Sequence, residues 1–185
     1  MRRTALLRHL PLVAGVAAVA MFVASPAIAG SDHVRSAGPL VRWSEVVPAQ
    51  AEAVVTAEYD ATGRTTVVLR VEGLRPGTVY GAHVHEGSCG SSPEDAGPTY
   101  QNVVPPDPDL VSTPRYANRH NEVWLDVETD ASGAGSSTAR VTWQFPPHRR
   151  PGSVVLHEDF TSTGLQPGPR AGVAGDALAC LDVEF

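Results

Sequence analysis

At 185 residues the chain is long enough for one domain with a substantial core and short for two. Its basic residues are 14 arginines with no lysine, set against 20 acidic residues, for a formal charge of −6. That balance argues against nucleic acid or an anionic lipid surface as a partner.

Arg2, Arg3 and Arg8 precede an apolar run from Leu10 to Ala24, and the following Ser25 to Ala29 ends in small residues at Ala27 and Ala29. This is the layout of a secretory signal peptide, with cleavage expected after Ala29. An uncleaved membrane anchor is the alternative, and the short apolar core disfavours it. The expected location is secreted or extracytoplasmic, either extracellular or periplasmic, with no stable membrane insertion after cleavage. Losing three arginines takes the charge to about −9, from 11 basic and 20 acidic residues. The expected division is a signal peptide over 1–29, an amino-terminal tail and first strand over 30–50, and one domain over 51–185. Gly30 to Pro39 reads as a loose tail.

Beyond it, strands and turns alternate, with no convincing helix. Ala51 to Tyr59 and Thr65 to Val71 flank the turn Asp60-Ala-Thr-Gly63 and read as a hairpin. Leu74 to Gly77 turns the chain into a strand over Thr78 to His85. Val123, Leu125 and Val127 alternate with polar residues ahead of the turn Asp130-Ala-Ser-Gly133. The clearest period-two pattern follows, Ala139, Val141, Trp143 and Phe145, stopped by Pro146 and Pro147. Ser153 to His157 and Ala179 to Phe185 are short apolar strands. The sum predicts an all-β sandwich or barrel. Two segments break the rhythm, Glu86 to Asn121 and Glu158 to Ala177, and each begins at a His-Glu pair. Loops of that length in a compact domain are functional or disordered.

Cys89 and Cys180 read as a disulfide in an exported chain, with free buried thiols as the alternative. The long loop so closed implies on the order of 4–5 kcal/mol of stabilisation by chain entropy. Six histidines lie beyond residue 29: His33, His83, His85, His120, His148 and His157. The spacing His83-Val-His85 puts two imidazoles on one face of a strand. His157, at another strand end, is placed to add a third nitrogen, a donor set that suits copper or zinc.

The stretches Gly81 to Glu86, Cys89, Ala96-Gly-Pro98, Val154 to Glu158 and Leu178-Ala-Cys180, in that order, resemble the copper/zinc superoxide dismutases from about Ala51 to Phe185. The resemblance implies an eight-stranded Greek-key β-barrel or sandwich with two long loops. It also implies an intrasubunit disulfide between Cys89 and Cys180, and copper held by His83, His85 and His157. The implied reaction is disproportionation of superoxide, the small-molecule substrate, to oxygen and hydrogen peroxide as copper alternates between its cupric and cuprous states. The departures are informative. Thr99 stands where the family has a histidine bridging copper and zinc. Of the remaining zinc positions, His120 matches one and Val123 replaces an aspartate. One histidine falls short of the four or so ligands of a structural zinc site, so zinc is not expected. Glu122, Asp107 and Asp109 read as solvated loop charges rather than substitutes. Ala177 stands where the family has an arginine that guides the anion, with Asp176 beside it and Arg170 further back in the loop. The departures leave two main readings, a copper-only dismutase slowed by these losses or a non-enzymatic protein that sequesters or delivers copper on the same fold, and a third, a structural or adhesion domain with a vestigial site. Oligomeric state and the source of superoxide stay open.

Overall fold

The computed structural model describes residues 32–168 and 170–185. The expected signal peptide and its cleavage site lie outside the described residues. The chain is all-β. One antiparallel sheet has the order β1(Asp32–Pro39), β3(Glu52–Tyr59), β4(Thr65–Glu72), β7(Gly135–Val141). The other has the order β2(Val41–Arg42), β9(Ala177–Asp182), β8(Ser153–His157), β5(Val79–His85), β6(Val127–Glu128). The sheets do not close into a barrel; they face each other as a sandwich.

Period-two burial builds the first sheet. In β4, Val67, Leu69 and Val71 are buried while Arg70 and Glu72 are exposed. Those three pack with Val55, Ala57, Leu125 and Leu156 in the core between the sheets. Both expected Asp-Ala-Thr/Ser-Gly turns form by one device. Asp60 Oδ1 accepts from the Thr62 amide at 2.8 Å and the Arg64 amide at 3.1 Å. Asp130 Oδ1 does the same with Ser132 and Ala134, at 2.7 and 3.1 Å. Hydrogen bonds, led by those from the Thr62 and Ser132 side chains, hold both carboxyls below their usual range. The fourth residue of each turn, Gly63 or Gly133, takes a positive φ that disfavours other residues.

Three expectations change. Of the expected loose tail over Gly30 to Pro39, the described part is a strand: Asp32 to Pro39 pairs residue for residue with β3, from Asp32 opposite Tyr59 to Pro39 opposite Glu52. This strand carries little apolar patterning, so backbone ladder bonds rather than side chains mark it, and Pro39 is tolerated at its end on the sheet edge. The strand read over Ala139 to Phe145 lies instead over Gly135–Val141. Phe145 stays buried, but past Val141 the ladder gives way to side-chain bonds, from the Thr65 hydroxyl to the Trp143 carbonyl at 2.7 Å and from Gln144 Nε2 to the Asp60 carbonyl at 2.9 Å. The segment from Val123 is paired as a strand only at Val127–Glu128.

The two long loops are tied down by backbone bonds. In the first, the Gly87 amide donates to Ala96 O at 2.8 Å and the Tyr100 amide to Val84 O at 2.9 Å. In the second, Asp159 N donates to Ala174 O and Gly172 N to Ser162 O, at 2.8 and 2.9 Å. Gly81 of β5 sits directly under the second loop. A Cβ there would stand 2.4 Å from the Asp159 carbonyl oxygen and 2.6 Å from Ala174 Cβ. Gly81→Ala is therefore expected to lift this loop and destabilise the protein by about 1–3 kcal/mol. Chemical denaturation checks it, and an unchanged midpoint would refute the tight contact.

Candidate metal centre

His83 and His85 lie two apart on β5, and β8 runs beside it with Gly81 opposite His157 and His83 opposite Val155. In the β8–β9 pairing the register shifts between Leu156 and His157, an irregularity of the kind that re-aims a side chain. One nitrogen from each of His83, His85 and His157 lies within 4.8 Å of the others. His85 Nε2 and His157 Nε2 are 3.4 Å apart, close enough to share one ion at the roughly 2.0–2.1 Å of a metal–imidazole bond. Among the described residues no other group of three or more histidines, cysteines or carboxylates converges in this way.

All three rings are deprived of water, and that sets their charge. Burial pushes His83 well below its usual range, and the neighbouring His157, His85 and Arg119 add to it. Burial brings His85 down to about 4, against the opposing hydrogen bond to Gly97. His157 is also lowered by burial, opposed by the Gly175 backbone and the Asp126 carboxylate. Such groups stabilise the fold above the ordinary histidine range and lose that contribution as pH falls through their depressed values. At neutral pH the rings are uncharged, the form that binds metal.

Hydrogen bonds occupy one nitrogen of two rings. His85 Nδ1 lies 2.8 Å from the Gly97 carbonyl oxygen, which can only accept, so Nδ1 carries the proton and Nε2 is bare. His83 Nε2 lies 2.6 Å from Thr161 Oγ1. Among the described residues, His83 Nδ1 and His157 Nδ1 are buried without a hydrogen-bond partner of normal geometry. Buried polar atoms of this kind require a partner, and a metal ion at the His83 nitrogen answers that requirement. The two sulfurs are unavailable as ligands, because Cys89 and Cys180 form a disulfide across 91 residues. That bond is of the kind kept in oxidising compartments. Among the described residues no helix is long and apolar enough to cross a membrane.

No family model matches the chain.

The remaining sequence candidates scatter. Thr99 makes an isolated backbone bridge with His85, so it stands beside the cluster. His120 is exposed and stays outside the group, its carbonyl accepting from Trp143 Nε1 at 2.7 Å. Val123 is fully buried in the core. Ala177 opens β9, half-buried, while Asp176, Arg170, Asp107 and Asp109 are exposed. Glu122 is a correction: it is not a solvated loop charge but is only 2% exposed. It accepts from Gln101 Nε2 at 2.7 Å and from Trp124 Nε1. It lines a cleft of about 160 Å³ together with Thr99 and Gly172. The period-two rhythm around Val123 gave no warning, because burial there comes from the long loop folding over the outer face.

Burial raises the Glu122 carboxyl to about 6, against the bonds from Gln101 and Trp124. A raised carboxyl contributes stability below its unfolded value that is lost as pH rises through the folded one. Between about pH 4.5 and 6.5 this residue is expected to withdraw about 2 kcal/mol of stability. Carboxyl-carbon NMR should place its midpoint near 6; a midpoint at the ordinary glutamate value would remove the effect.

Proposed function

We propose that the protein is an exported member of the copper/zinc superoxide dismutase family that disproportionates superoxide at a copper held by His83, His85 and His157. The observation that supports this most is the convergence of three neutral imidazoles, His83 and His85 buried and His157 half-buried, with nitrogens left bare. A structural zinc site wants about four ligands, whereas cuprous copper accepts three nitrogens. Copper supplies the one-electron couple by which one superoxide is oxidised to oxygen and a second, with two protons, becomes hydrogen peroxide. The chain's own residues hold the ion, keep water from the rings and deliver protons. Thr99 is a poor relay, because its hydroxyl does not titrate near neutral pH. Glu158, exposed and adjoining His157 in the chain, takes that role in our reading.

A second reading, copper sequestration or delivery without catalysis, draws on Ala177 and Asp176, which put no cation where an anion would be guided. Superoxide decay after a radiolytic pulse separates the two. Decay accelerated by the copper-loaded protein and not by the metal-free protein supports the dismutase. Copper uptake without acceleration supports the second reading, and no uptake defeats both.

A further inference from the structure

Against the Nε2 edge of the His83 ring stands a chain of hydrogen bonds that no sequence motif announces. Thr161, 8% exposed, comes from the second long loop, and Asp126 from the segment beside β6. Asp126 Oδ1 takes the Thr161 hydroxyl at 2.5 Å and the Ala82 amide at 3.3 Å. Asp126 Oδ2 takes the Thr161 amide at 3.4 Å and Arg119 Nη2 at 3.3 Å. The carboxylate is therefore surrounded by donors on both oxygens, and its side chain is only 8% exposed.

We infer that Asp126, acting through Thr161, fixes the tautomer of His83 so that Nδ1 is its bare, metal-facing nitrogen. The inference deepens the metal-centre reading and rests on it. The argument is a count of protons. A carboxylate ion-paired with arginine accepts and does not donate. The Thr161 hydroxyl has one proton, and Asp126 receives it. Towards His83 the hydroxyl oxygen can then only accept, so His83 Nε2 must carry the ring proton. A neutral imidazole has one N–H, which leaves Nδ1 with a free lone pair. That is the atom found buried without a partner.

The result complements His85. There a carbonyl captures Nδ1 and frees Nε2; here a carboxylate and a hydroxyl capture Nε2 and free Nδ1. Neighbouring ladder positions on one strand face are about 6.6–6.8 Å apart, so two like tautomers would aim parallel rings at separate points. Opposite tautomers let a near-ring and a far-ring nitrogen meet one ion. Asp126 touches no ligand nitrogen, so it is a positioning residue, and partners of this kind are worth about 10–100-fold in metal affinity.

The test is nitrogen–proton correlation NMR on His83 of the metal-free protein at neutral pH, followed by copper affinity measured by competition with a chromophoric chelator. The parent and Thr161→Ser should show His83 protonated at Nε2. Thr161→Val and Asp126→Ala should shift the proton towards Nδ1 and weaken copper by about 10–100-fold. The Thr161→Val variant keeps the side-chain volume, which guards against misfolding of Asp126→Ala. A parent protonated at Nδ1, or a tautomer and affinity unmoved in Thr161→Val, overturns the inference. Because the tautomer is read without metal, it decides this point even if the parent binds no copper and the metal-centre reading falls.

Discussion

Replacing any one of His83, His85 and His157 by alanine is expected to lower copper affinity by more than about 100-fold and return superoxide decay to its uncatalysed rate. The lower bound follows from the partners behind the ligands: altering one of those alone is worth about 10–100-fold, and a ligand itself must exceed it. Each histidine supplies a third of the nitrogen set, and the disulfide withholds the two sulfurs that would otherwise compensate. Exposed His33, His120 and His148 serve as matched controls and should leave uptake unchanged. Copper titration followed by pulse radiolysis reads both effects. Retention of one tightly held copper in His157→Ala would sink the three-histidine centre. Stability should move differently, since truncating one of these imidazoles opens a cavity but, at His83 and His157, also removes a nitrogen without a partner. Copper binding should therefore collapse in variants that remain folded.

Opening the Cys89–Cys180 bridge is expected to lower the unfolding free energy by about 4–5 kcal/mol, the chain-entropy value for a loop of 91 residues. Against the 5–15 kcal/mol that holds a typical domain, this is a large fraction. The same change should weaken copper binding. Cys89 lies on the loop leaving His85, and Cys180 lies on β9, opposite Val155 of the strand that carries His157. The loop is also pinned by the Cys89 amide to Asp182 Oδ1 at 2.7 Å and by the Ser153 hydroxyl to Gly87 O at 2.7 Å. Those bonds survive reduction, so a Cys89→Ser/Cys180→Ser variant should stay folded under mild conditions while its midpoint falls. Equal denaturation midpoints with and without reductant would contradict the prediction, and equal copper affinities would uncouple the bridge from the centre.

What the sequence made legible was whatever leaves a periodic or local trace. The β3–β4 hairpin shows in alternating valines around an Asp-Ala-Thr-Gly turn, and the histidine pair shows in its spacing of two. β1 left no such trace, because Arg35, Ser36, Ala37 and Gly38 of an edge strand are held through backbone pairing. Glu122 was misread because its outer face is covered by a loop whose path no local pattern encodes. Thr161 and Asp126 were invisible for a related reason. They lie 78 and 43 positions from His83 along the chain, and a lone threonine or aspartate in a loop carries no signature. The three metal candidates were recovered because each sits on a strand; their supporting residues were missed because they come from loops.

The pairing of β5 with β8 makes the histidine cluster a gauge of strand alignment. With His83 opposite Val155 and Gly81 opposite His157, the three rings share a face. A slip of one residue would turn His157 to the opposite side of the sheet. A slip of two would keep the side but carry it about 6.6–6.8 Å along the strand, beyond the reach of a common ion. An ion that needs all three nitrogens thus binds the correctly zipped chain and no shifted neighbour, and by mass action it depopulates the misaligned forms. In such a protein metal uptake acts as proofreading of the sheet, so copper added during refolding should raise the yield of the correctly aligned fold as well as fill the site.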